Sequence, residues 1–271
     1  MANGFVVTSD HGSGGEAAWA GVPGQFRQPN GPLPPAWETL YGPLRAGRAD
    51  DLMVVAQLGQ SIDGRIATPT GHAKYINGAA GLDHLHRLRA LVDAIVVGVG
   101  TAVCDDPELT VRRVAGPNPA RVVIDPRGRL SASARLLRAN GARRVVVLGA
   151  QVESRFADDV EILRVPLADG IAAPAAILAG LHAKGFRRIL IEGGARTISQ
   201  FLTAGCLDRL HVMVAPIMLG AGQAGVTLKP IATADLALRA PMRAHLIGEE
   251  VLLDCDLTAQ RVAVGWAKKS T

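Results

Sequence analysis

Short apolar runs alternate with helical patterns along the chain from residue 52 onward. A run such as 52–58 is typical of a buried strand, whereas apolar residues three and four positions apart indicate a helix. These patterns predict strands at 52–58, 94–97, 121–124, 144–148, 161–165 and 188–191, and helices at 77–92, 131–138, 174–183 and 195–204, with Asn77 as the N-cap of the first helix. Strands separated by helices usually pair in parallel, because each helix returns the chain to the starting edge of the sheet.

The C-terminal part of the chain follows a different pattern. Residues 209–215 and 244–257 predict strands with no long helix between them, which suits antiparallel pairing at one edge of the sheet. The expected fold class is therefore α/β. It has three layers, with helices on both faces of a mainly parallel sheet and an antiparallel C-terminal edge.

The first 50 residues lack either periodicity. Glycines and prolines at 12–15 and 31–35 interrupt any regular pattern. We predict an irregular, Gly/Pro-rich arm over residues 1–50 and one large folded domain over residues 51–271. Aromatic residues of the arm suggest that part of it lies against the folded body, in particular Trp19, Phe26, Trp37 and Tyr41.

The net charge of +5 is distributed over pairs of basic residues and not over one long run. Such pairs at 112–113, 143–144 and 187–188 fit either a solvated surface or a pocket for anionic ligands such as phosphates. Only 4% of the residues are aromatic, and no recognition motif accompanies the charge. The sequence therefore argues against a nucleic-acid surface.

Three widely spaced cysteines form no CxxC pair, so neither a zinc site nor a disulfide framework is expected: Cys104, Cys206 and Cys255. No apolar stretch approaches the roughly 18 residues of a membrane span. The N-terminus has no basic start followed by an apolar run, as a secretory signal would have. We therefore expect no metal, no membrane contact and a cytoplasmic location.

Two segments join a buried strand to a glycine turn and a helix, which is a geometry that can receive a phosphate. The first is 94–101, where Val103 occupies the third glycine position of a dinucleotide fingerprint and leaves a tight turn as the alternative. The second is 189–194, where Glu192 ends a predicted parallel strand. Glu192 is a ligand-facing carboxylate, an exposed loop acid or a helix-capping acid. Two such turns in one sheet favour a dinucleotide cleft.

Two further segments are ambiguous by themselves. Residues 61–65 contain an Asp-Gly pair that fits a simple turn. Residues 105–112 begin with Asp-Asp-Pro, which supports either acid–base chemistry or a helix stop.

Six segments, taken in order, resemble the reductase domain of the bifunctional riboflavin-biosynthesis deaminase/reductase. They are Gln60–Gly64, His86–Arg89, Asp93–Thr101, Asp105–Pro107 with Leu109–Arg112, Glu192–Gly194 and Ala215–Gly220. Each segment is weak evidence by itself, but six in the same order and spacing, from about residue 52 to residue 220, are highly specific.

The resemblance implies a dihydrofolate-reductase-like fold, usually as a homodimer, and a small phosphorylated substrate. It implies hydride transfer from NADPH to sugar C1 of 5-amino-6-(5-phosphoribosylamino)uracil, which gives the ribitylamino product. Such an enzyme must hold the nicotinamide against C1, clamp the 5-phosphate and supply one proton.

The resemblance also assigns residues to roles. The cofactor would contact Gln60, Tyr75, Thr101, Asp105, Gly194, Ala195, Arg196 and Thr197, the last four at its phosphates. The substrate would contact Ala73, Arg89, Leu109, Arg112 and Glu192. Glu192 and Asp105 would be the catalytic groups, and Asp63 would support a loop. We predict further that Arg89 and Arg112 clamp the 5-phosphate and that Arg127 and Arg129 face a 2′-phosphate.

The sequence departs from the family pattern in four places. The deaminase motifs, HxE followed by PCxxC, are absent, which excludes zinc-dependent base deamination by these residues. Tyr75 stands where a tryptophan is common, which preserves an aromatic side chain. Ala73 replaces a frequent substrate-binding serine, and Gln57 replaces a frequent lysine. The last two changes bear on the substrate more than on the cofactor.

Two other functions therefore stay open. One is reduction of another heterocycle, such as a dihydropterin, by an enzyme of the same fold. The other is nucleotide binding without catalysis. The pair Arg89 and Arg112 favours the phosphorylated substrate, because a pterin without a phosphate needs no guanidinium clamp.

Overall fold

The computed structural model describes residues 7–8, 18–28, 31–74 and 76–264. Its strands are β1 (Val7–Thr8), β2 (Met53–Ser61), β3 (Arg65–Ala67), β4 (Ala94–Gly98), β5 (Ala120–Ile124), β6 (Arg144–Gly149), β7 (Glu161–Val165), β8 (Leu167–Ala168), β9 (Ile171–Ala172), β10 (Arg188–Glu192), β11 (Arg209–Ala215), β12 (Gln223–Ala224), β13 (Met242–Ile247) and β14 (Glu250–Asp256). Its helices are α1 (Val22–Arg27), α2 (Pro35–Tyr41), α3 (Ala79–Leu91), α4 (Val99–Asp105), α5 (Pro174–Ala183) and α6 (Ala195–Thr203).

Ten strands form one sheet in the order β1-β13-β14-β11-β2-β10-β4-β5-β6-β7. From β11 to β7 every neighbouring pair is parallel. The pairs β11–β14 and β13–β14 are antiparallel, whereas β1 joins β13 in parallel. The predicted mainly parallel sheet with an antiparallel C-terminal edge is confirmed.

The sheet separates two apolar cores. Successive side chains of a strand point to opposite faces, so Val55 of β2 belongs to one core and Val54 to the other. The first core includes Leu88 of α3, and the second includes Leu178 of α5 and Phe201 of α6. Helices therefore cover both faces, and the three layers expected from the sequence are present.

The predicted helix at 131–138 is wrong. Only the 3-10 turn Arg135–Leu137 forms there. The Ser131 hydroxyl accepts a hydrogen bond from the Ser133 backbone N–H at 3.2 Å and contacts the Ser133 hydroxyl at 2.8 Å. Serine side chains that bond to nearby backbone groups compete with helical hydrogen bonds, so a continuous helix does not begin at this point.

The N-terminus of α3 is capped by a distant residue. Asn77 was the predicted N-cap, but Gly78 occupies that position and makes no side-chain cap bond. The Glu250 carboxylate instead accepts hydrogen bonds from the backbone N–H groups of Gly78 and Gly81, at 3.1 and 2.8 Å. The Asn77 amide also donates to Glu250, at 2.7 Å. The turn between β13 and β14 thus satisfies donors that a local cap would otherwise take.

The sequence pattern predicts that residues 1–50 are irregular. The described part of this segment differs from that prediction, because it contains the helices α1 and α2. Prolines lie in the first turn of both helices, where the missing N–H has no helical partner in any case. Trp19, Trp37 and Tyr41 are fully or almost fully buried in the first core. The Trp19 indole N–H donates to the Ala115 carbonyl at 2.7 Å. This segment therefore packs as part of the body. No helix in the described ranges has the length and apolarity to cross a membrane.

Candidate active site

Two strand–glycine–helix turns meet at the carboxyl ends of the central parallel strands. One leads from β4 into α4, and the other leads from β10 through Gly193 and Gly194 into α6. Because β4 and β10 are neighbours in the sheet, the two turns lie side by side. Ligands of open α/β sheets bind at this edge, and both predicted turns are present.

The two turns are in contact at glycines. A larger residue at either position would force a side chain of the facing turn to move. A Cβ atom at Gly98 would lie 2.5 Å from Thr197 Oγ1, and one at Gly194 would lie 2.8 Å from Thr101 Oγ1. Gly194 also has φ +58°, in the left-handed region that glycine enters without steric cost. The close packing leaves backbone and hydroxyl groups at the floor of a cleft.

This cleft has a volume of about 690 Å³. Eight of the predicted site residues line it: Ala73, Thr101, Asp105, Glu192, Gly194, Ala195, Arg196 and Thr197. Gln57, Arg127 and Arg129 line it as well. No motif in the sequence indicates the short β8–β9 pair, which contributes Gly170, Ile171 and Ala172, or Gln223 of β12. Gln60 is not among the lining residues, and Tyr75 lies outside the described residues.

A smaller pocket of about 280 Å³ adjoins the cleft at Asp105, which lines both. The predicted substrate residues Arg89, Leu109 and Arg112 line it, together with Pro107, Glu108 and Arg135. We call it the basic pocket, because three guanidinium groups converge there. Three of the predicted substrate residues therefore line the basic pocket, whereas Ala73 and Glu192 line the larger cleft with most of the predicted cofactor residues.

Glu192 and Arg89, both predicted to face the substrate, form an ion pair with each other. Arg89 Nε donates to one Glu192 oxygen at 2.9 Å, and Arg89 Nη2 donates to the other. Arg89 Nη1 donates to the Thr110 carbonyl at 3.0 Å. Both side chains are nearly buried, with 6% and 11% of their surface exposed. A planar guanidinium that binds both oxygens fixes the carboxylate in one orientation.

Strained backbone surrounds both spaces. Three non-glycine residues in the described part of the chain have φ in the left-handed region: Asp106 at 38°, Leu109 at 53° and Asp169 at 51°. Leu109 lines the basic pocket, Asp106 follows Asp105, and Asp169 precedes Gly170 of the cleft. Such conformations are costly outside glycine and are concentrated at functional sites.

A family model described as the RibD C-terminal domain matches residues 53–251. The chain belongs to this family. The 2,5-diamino-6-ribosylamino-4(3H)-pyrimidinone 5′-phosphate reductase of Methanothermobacter thermautotrophicus is 31% identical over 208 residues, which are 74% of this chain and 96% of the relative. The protein of the same name from Archaeoglobus fulgidus is 33% identical over 184 residues, covering 62% of this chain and 81% of the relative. Curated members are thus pyrimidine reductases, which are oxidoreductases.

A solved structure of the family supports the same conclusion. The diaminohydroxyphosphoribosylaminopyrimidine deaminase/5-amino-6-(5-phosphoribosylamino)uracil reductase of Thermotoga maritima superposes with a TM-score of 0.65 at 26% identity, over 76% of this chain and 56% of that chain. The chain thus spans about half the length of that bifunctional protein. The α/β fold class is confirmed, and the architecture is that of this reductase family.

In this RibD-type domain, Gln57 of β2 lies directly beside Glu192 of β10 in the sheet register. Both residues are buried and line the cleft. Where the family pattern has a lysine, this neutral amide adds no positive charge next to Glu192. Arg89, which lies 103 positions away in sequence, pairs with the carboxylate instead.

Asp63 holds a loop of the family pattern in place, as the sequence analysis proposed. Its carboxylate accepts hydrogen bonds from the backbone N–H groups of Leu219 and Gly220, at 3.0 and 2.7 Å. The Ser61 hydroxyl donates to it at 2.6 Å. These bonds, led by the Ser61 hydroxyl, lower the pKa of Asp63 to about 2. The carboxylate therefore stays an acceptor, and not a proton donor, near neutral pH.

His86 supports the basic pocket in a way that the sequence analysis did not anticipate. Its Nδ1 atom accepts a hydrogen bond from the Arg112 backbone N–H at 3.1 Å. Burial, together with the charges of Arg89 and Arg112, lowers the pKa of His86 to about 3. A neutral imidazole is needed for that bond, because a protonated Nδ1 has no lone pair to accept it. Within the described ranges, no group of three or more His, Cys, Asp or Glu side chains is placed to hold a metal ion.

Proposed function

We propose that this chain uses NADPH to reduce 5-amino-6-(5-phosphoribosylamino)uracil at sugar C1, in riboflavin biosynthesis. The observation that carries the proposal is the position of Glu192. It ends β10 between the two glycine turns, faces the cleft, and is paired with Arg89 of the adjoining basic pocket. One space suits a dinucleotide and the other suits a phosphorylated sugar. Family membership supports this division.

The cleft fits a reduced nicotinamide dinucleotide. Gly98 and Gly194 let the two turns pack closely against Thr197 and Thr101, so that both turns line the same cleft. The first turn of α6 presents the backbone N–H groups of Ala195 and Arg196 and a positive helix end to phosphates. The bound dinucleotide would supply the hydride. We propose NADPH and not NADH because the exposed Arg127 and Arg129 line the same cleft and suit a 2′-phosphate.

The chain's own residues would bind, orient and desolvate the acceptor. Glu192, fixed by Arg89, is placed to accept hydrogen bonds from the pyrimidine amines or sugar hydroxyls. Asp105 lines both spaces and lies where a proton must reach the reduced sugar. Arg112 would bind the 5-phosphate, with Arg89 along the same wall. This arrangement would hold C1 at the boundary between the two spaces.

A second substrate is favoured by the relatives that the chain matches over most of their length. Their names specify 2,5-diamino-6-ribosylamino-4(3H)-pyrimidinone 5′-phosphate, which carries an amino group where the uracil carries an oxygen. Both molecules share the phosphorylated sugar, so the basic pocket serves either one. The side chains near the pyrimidine, Gln57 and Ala73 among them, would make the choice.

A turnover assay that follows NADPH absorbance tests the proposal. The purified chain is supplied in turn with the uracil, the 2,5-diamino compound and dihydropterin, and each is repeated with NADH. We expect turnover of a phosphoribosylamino-pyrimidine, with NADPH preferred. Turnover of dihydropterin alone would establish another reductase. Dinucleotide binding without turnover of any compound would establish a non-catalytic binding protein.

Three further proposals concern organisation, and of these the homodimer rests on the resemblance. We propose a cytoplasmic homodimer in which residues 51–271 form the reductase domain and residues 1–50 form an appended arm. Light scattering at micromolar concentration should give twice the chain mass of 28.3 kDa. A chain starting at residue 51 tests the arm, and loss of the folded state on its removal would make the arm part of the domain.

A further inference from the structure

The basic pocket contains a guanidinium that neither the motifs nor the proposed reaction includes. Arg135 lies on the 3-10 turn Arg135–Leu137, whose next two residues, Leu136 and Leu137, are buried in the first core. The Arg135 backbone N–H donates to Asp106 Oδ1 at 2.8 Å. The backbone of Arg135 is thus anchored on both sides, while its side chain keeps 44% of its surface exposed at the pocket.

The three arginines of the pocket are engaged to different degrees. Arg89 is nearly buried and binds both Glu192 oxygens and the Thr110 carbonyl. Arg112 is exposed, and no carboxylate of the described chain lies within ion-pair distance of it. Its one side-chain hydrogen bond, to Thr110 Oγ1, is long at 3.4 Å. Arg135 is paired with Glu108, whose side chain is itself 37% exposed. Only Arg112 and Arg135 are therefore accessible to an incoming anion.

The Arg135–Glu108 pair has the properties of an exchangeable contact. Ion pairs between exposed side chains are weak, because water solvates both groups well when they separate. The Arg135 guanidinium lowers the pKa of Glu108 from its usual value, so the carboxylate is charged near neutral pH. A phosphomonoester carries nearly two negative charges at that pH and offers three acceptor oxygens. It is therefore a stronger partner for a guanidinium than one carboxylate.

We propose that Arg135 and Arg112 together bind the phosphomonoester of the substrate, and that Glu108 is an internal counter-ion which the phosphate displaces from Arg135. Arg135 is then a specificity-determining residue. A dianionic phosphate binds Arg135 in place of Glu108, whereas singly charged or uncharged sugars leave the Arg135–Glu108 ion pair intact. This inference rests on the proposed function for the identity of the substrate, although the binding of a sugar phosphate can be tested without turnover.

The backbone strain described above gives this loop its shape. Asp106 and Leu109, with φ of 38° and 53°, bracket Glu108. The Asp106 carboxylate holds the Arg135 backbone, and the buried Leu109 closes the pocket wall. The loop thus presents Glu108 to Arg135 from a fixed position, and displacement of the pair needs only side-chain rotation.

Calorimetric titration with ribose 5-phosphate and with inorganic phosphate tests the proposal directly. Arg135→Gln should weaken ribose 5-phosphate binding about tenfold, since one charge-assisted fork is lost. Arg135→Lys should recover part of the loss. Glu108→Gln should strengthen binding severalfold, because the competing carboxylate is gone. A gain of affinity cannot come from a damaged fold, so this variant keeps the test informative if Arg135→Gln is poorly folded.

The matched control is a second exposed pair close by. Arg113 Nε lies 2.6 Å from Asp83 Oδ1, with 35% and 31% of the side chains exposed, and neither residue lines the pocket. Arg113→Gln removes the same charge and should leave phosphate binding within about twofold of wild type. An equal loss in Arg113→Gln and Arg135→Gln would mean that general charge, and not the pocket, attracts phosphate, and would overturn the proposal.

Turnover separates this inference from the proposed function. With a phosphorylated pyrimidine substrate, Arg135→Gln should raise KM about tenfold with little change in kcat, and with the dephosphorylated compound it should have no effect. Normal turnover with an unchanged KM in Arg135→Gln would refute the phosphate role while the reductase assignment stands. Arg135-dependent binding of ribose 5-phosphate without turnover of any pyrimidine would refute the reductase assignment and leave the phosphate site in place.

Discussion

Two arginine–carboxylate pairs in this molecule differ in burial and in the number of hydrogen bonds that join them. At the antiparallel edge, Arg209 of β11 binds both oxygens of Asp254 of β14, at 2.8 and 2.7 Å, and the side chains are 7% and 0% exposed. In the basic pocket, Arg135 binds Glu108 with both side chains more than one third exposed. Burial determines the difference. A buried carboxylate whose partner is removed has no water to replace it, whereas an exposed one exchanges partners readily.

The buried pair belongs to a longer chain of contacts. His211 Nε2 lies 3.2 Å from Asp254, His211 Nδ1 lies 3.2 Å from His84, and His84 lies 3.0 Å from the Tyr41 hydroxyl. This chain links the C-terminal edge of the sheet to α3 and to α2 of the arm. The Arg89–Glu192 pair is intermediate, because it is nearly buried yet borders both ligand spaces. The three pairs form a series from structural to functional.

The largest expected effect is on the buried member of the series. Asp254→Asn should reduce the free energy of unfolding by about 3 kcal/mol or more, because Arg209 and His211 lose their only close shared carboxylate. Chemical denaturation measures the change. Asp256→Asn is the control, since Asp256 lies 3.3 Å from the same arginine and is partly exposed, and it should lose less than about 1 kcal/mol. Equal losses in the two variants would show that burial is not the deciding factor.

The intermediate pair should affect catalysis more than cofactor binding. Glu192→Gln keeps the shape of the side chain and removes its charge, so kcat/KM should fall about tenfold to a hundredfold, or about 1.4–2.8 kcal/mol of transition-state stabilisation. The NADPH affinity should stay nearly normal. Steady-state kinetics and an NADPH titration give the two quantities. A loss of NADPH affinity with turnover preserved at saturation would assign Glu192 to the cofactor.

Buried histidines should make stability depend on pH. Burial, with smaller contributions from His211 and Arg87, lowers the pKa of His84 well below its usual value, and His86 titrates at about 3. The unfolded chain takes up these protons near pH 6.5. Below that pH the unfolded state binds more protons, so the free energy of unfolding falls as the pH falls from about 6.5 towards 3.

His86 alone can contribute up to about 1.4 kcal/mol per pH unit in this range. Urea unfolding of wild type and of His86→Asn at several pH values measures the contribution of His86 to this pH dependence. Asparagine keeps a hydrogen-bond acceptor but cannot titrate. His72→Asn, at an exposed position, is the control and should follow wild type. A His86→Asn profile as steep as that of wild type would contradict the prediction.

The smallest effect on stability is expected at the exposed pair. Arg135→Gln should change the free energy of unfolding by less than about 1 kcal/mol, because an exposed ion pair contributes little. Wild-type binding of ribose 5-phosphate should nevertheless weaken as salt rises, since screening acts on exposed charges. Thermal unfolding measures the stability of the variant. Titration of wild type with ribose 5-phosphate at low and high salt measures the effect of screening on binding. A large stability loss in Arg135→Gln would place Arg135 with the buried pairs.

The sequence predicted the features that depend on local pattern. The strands 161–165 and 209–215 and the helix 174–183 agree with the structure residue for residue. Both glycine turns are where the motifs placed them. Prolines in the arm suggest breaks in regular structure, although prolines lie in the first turn of both arm helices. The periodic pattern also does not show that the Ser131 hydroxyl competes with helical hydrogen bonds.

Pairings between distant segments could not be predicted in this way. Nothing near Glu192 in sequence indicates that Arg89 will bind it, and nothing near Asn77 indicates that Glu250 will cap α3. Arg135 belongs to no motif and lies in a segment predicted to be an ordinary helix. These contacts arise because the sheet order brings remote strands and loops to one edge, which local periodicity does not specify.

The position of β2 in the sheet has a consequence for the newborn chain on the ribosome. Its two neighbours, β10 and β11, come from residues 188–192 and 209–215, and the Glu250 cap of α3 follows later still. Synthesis proceeds from the N-terminus, so both hydrogen-bonding edges of β2 stay bare until residues 188–192 have been translated. An apolar strand in that condition is a natural target for holding chaperones. Its folding should accelerate abruptly once the final hairpin leaves the exit tunnel.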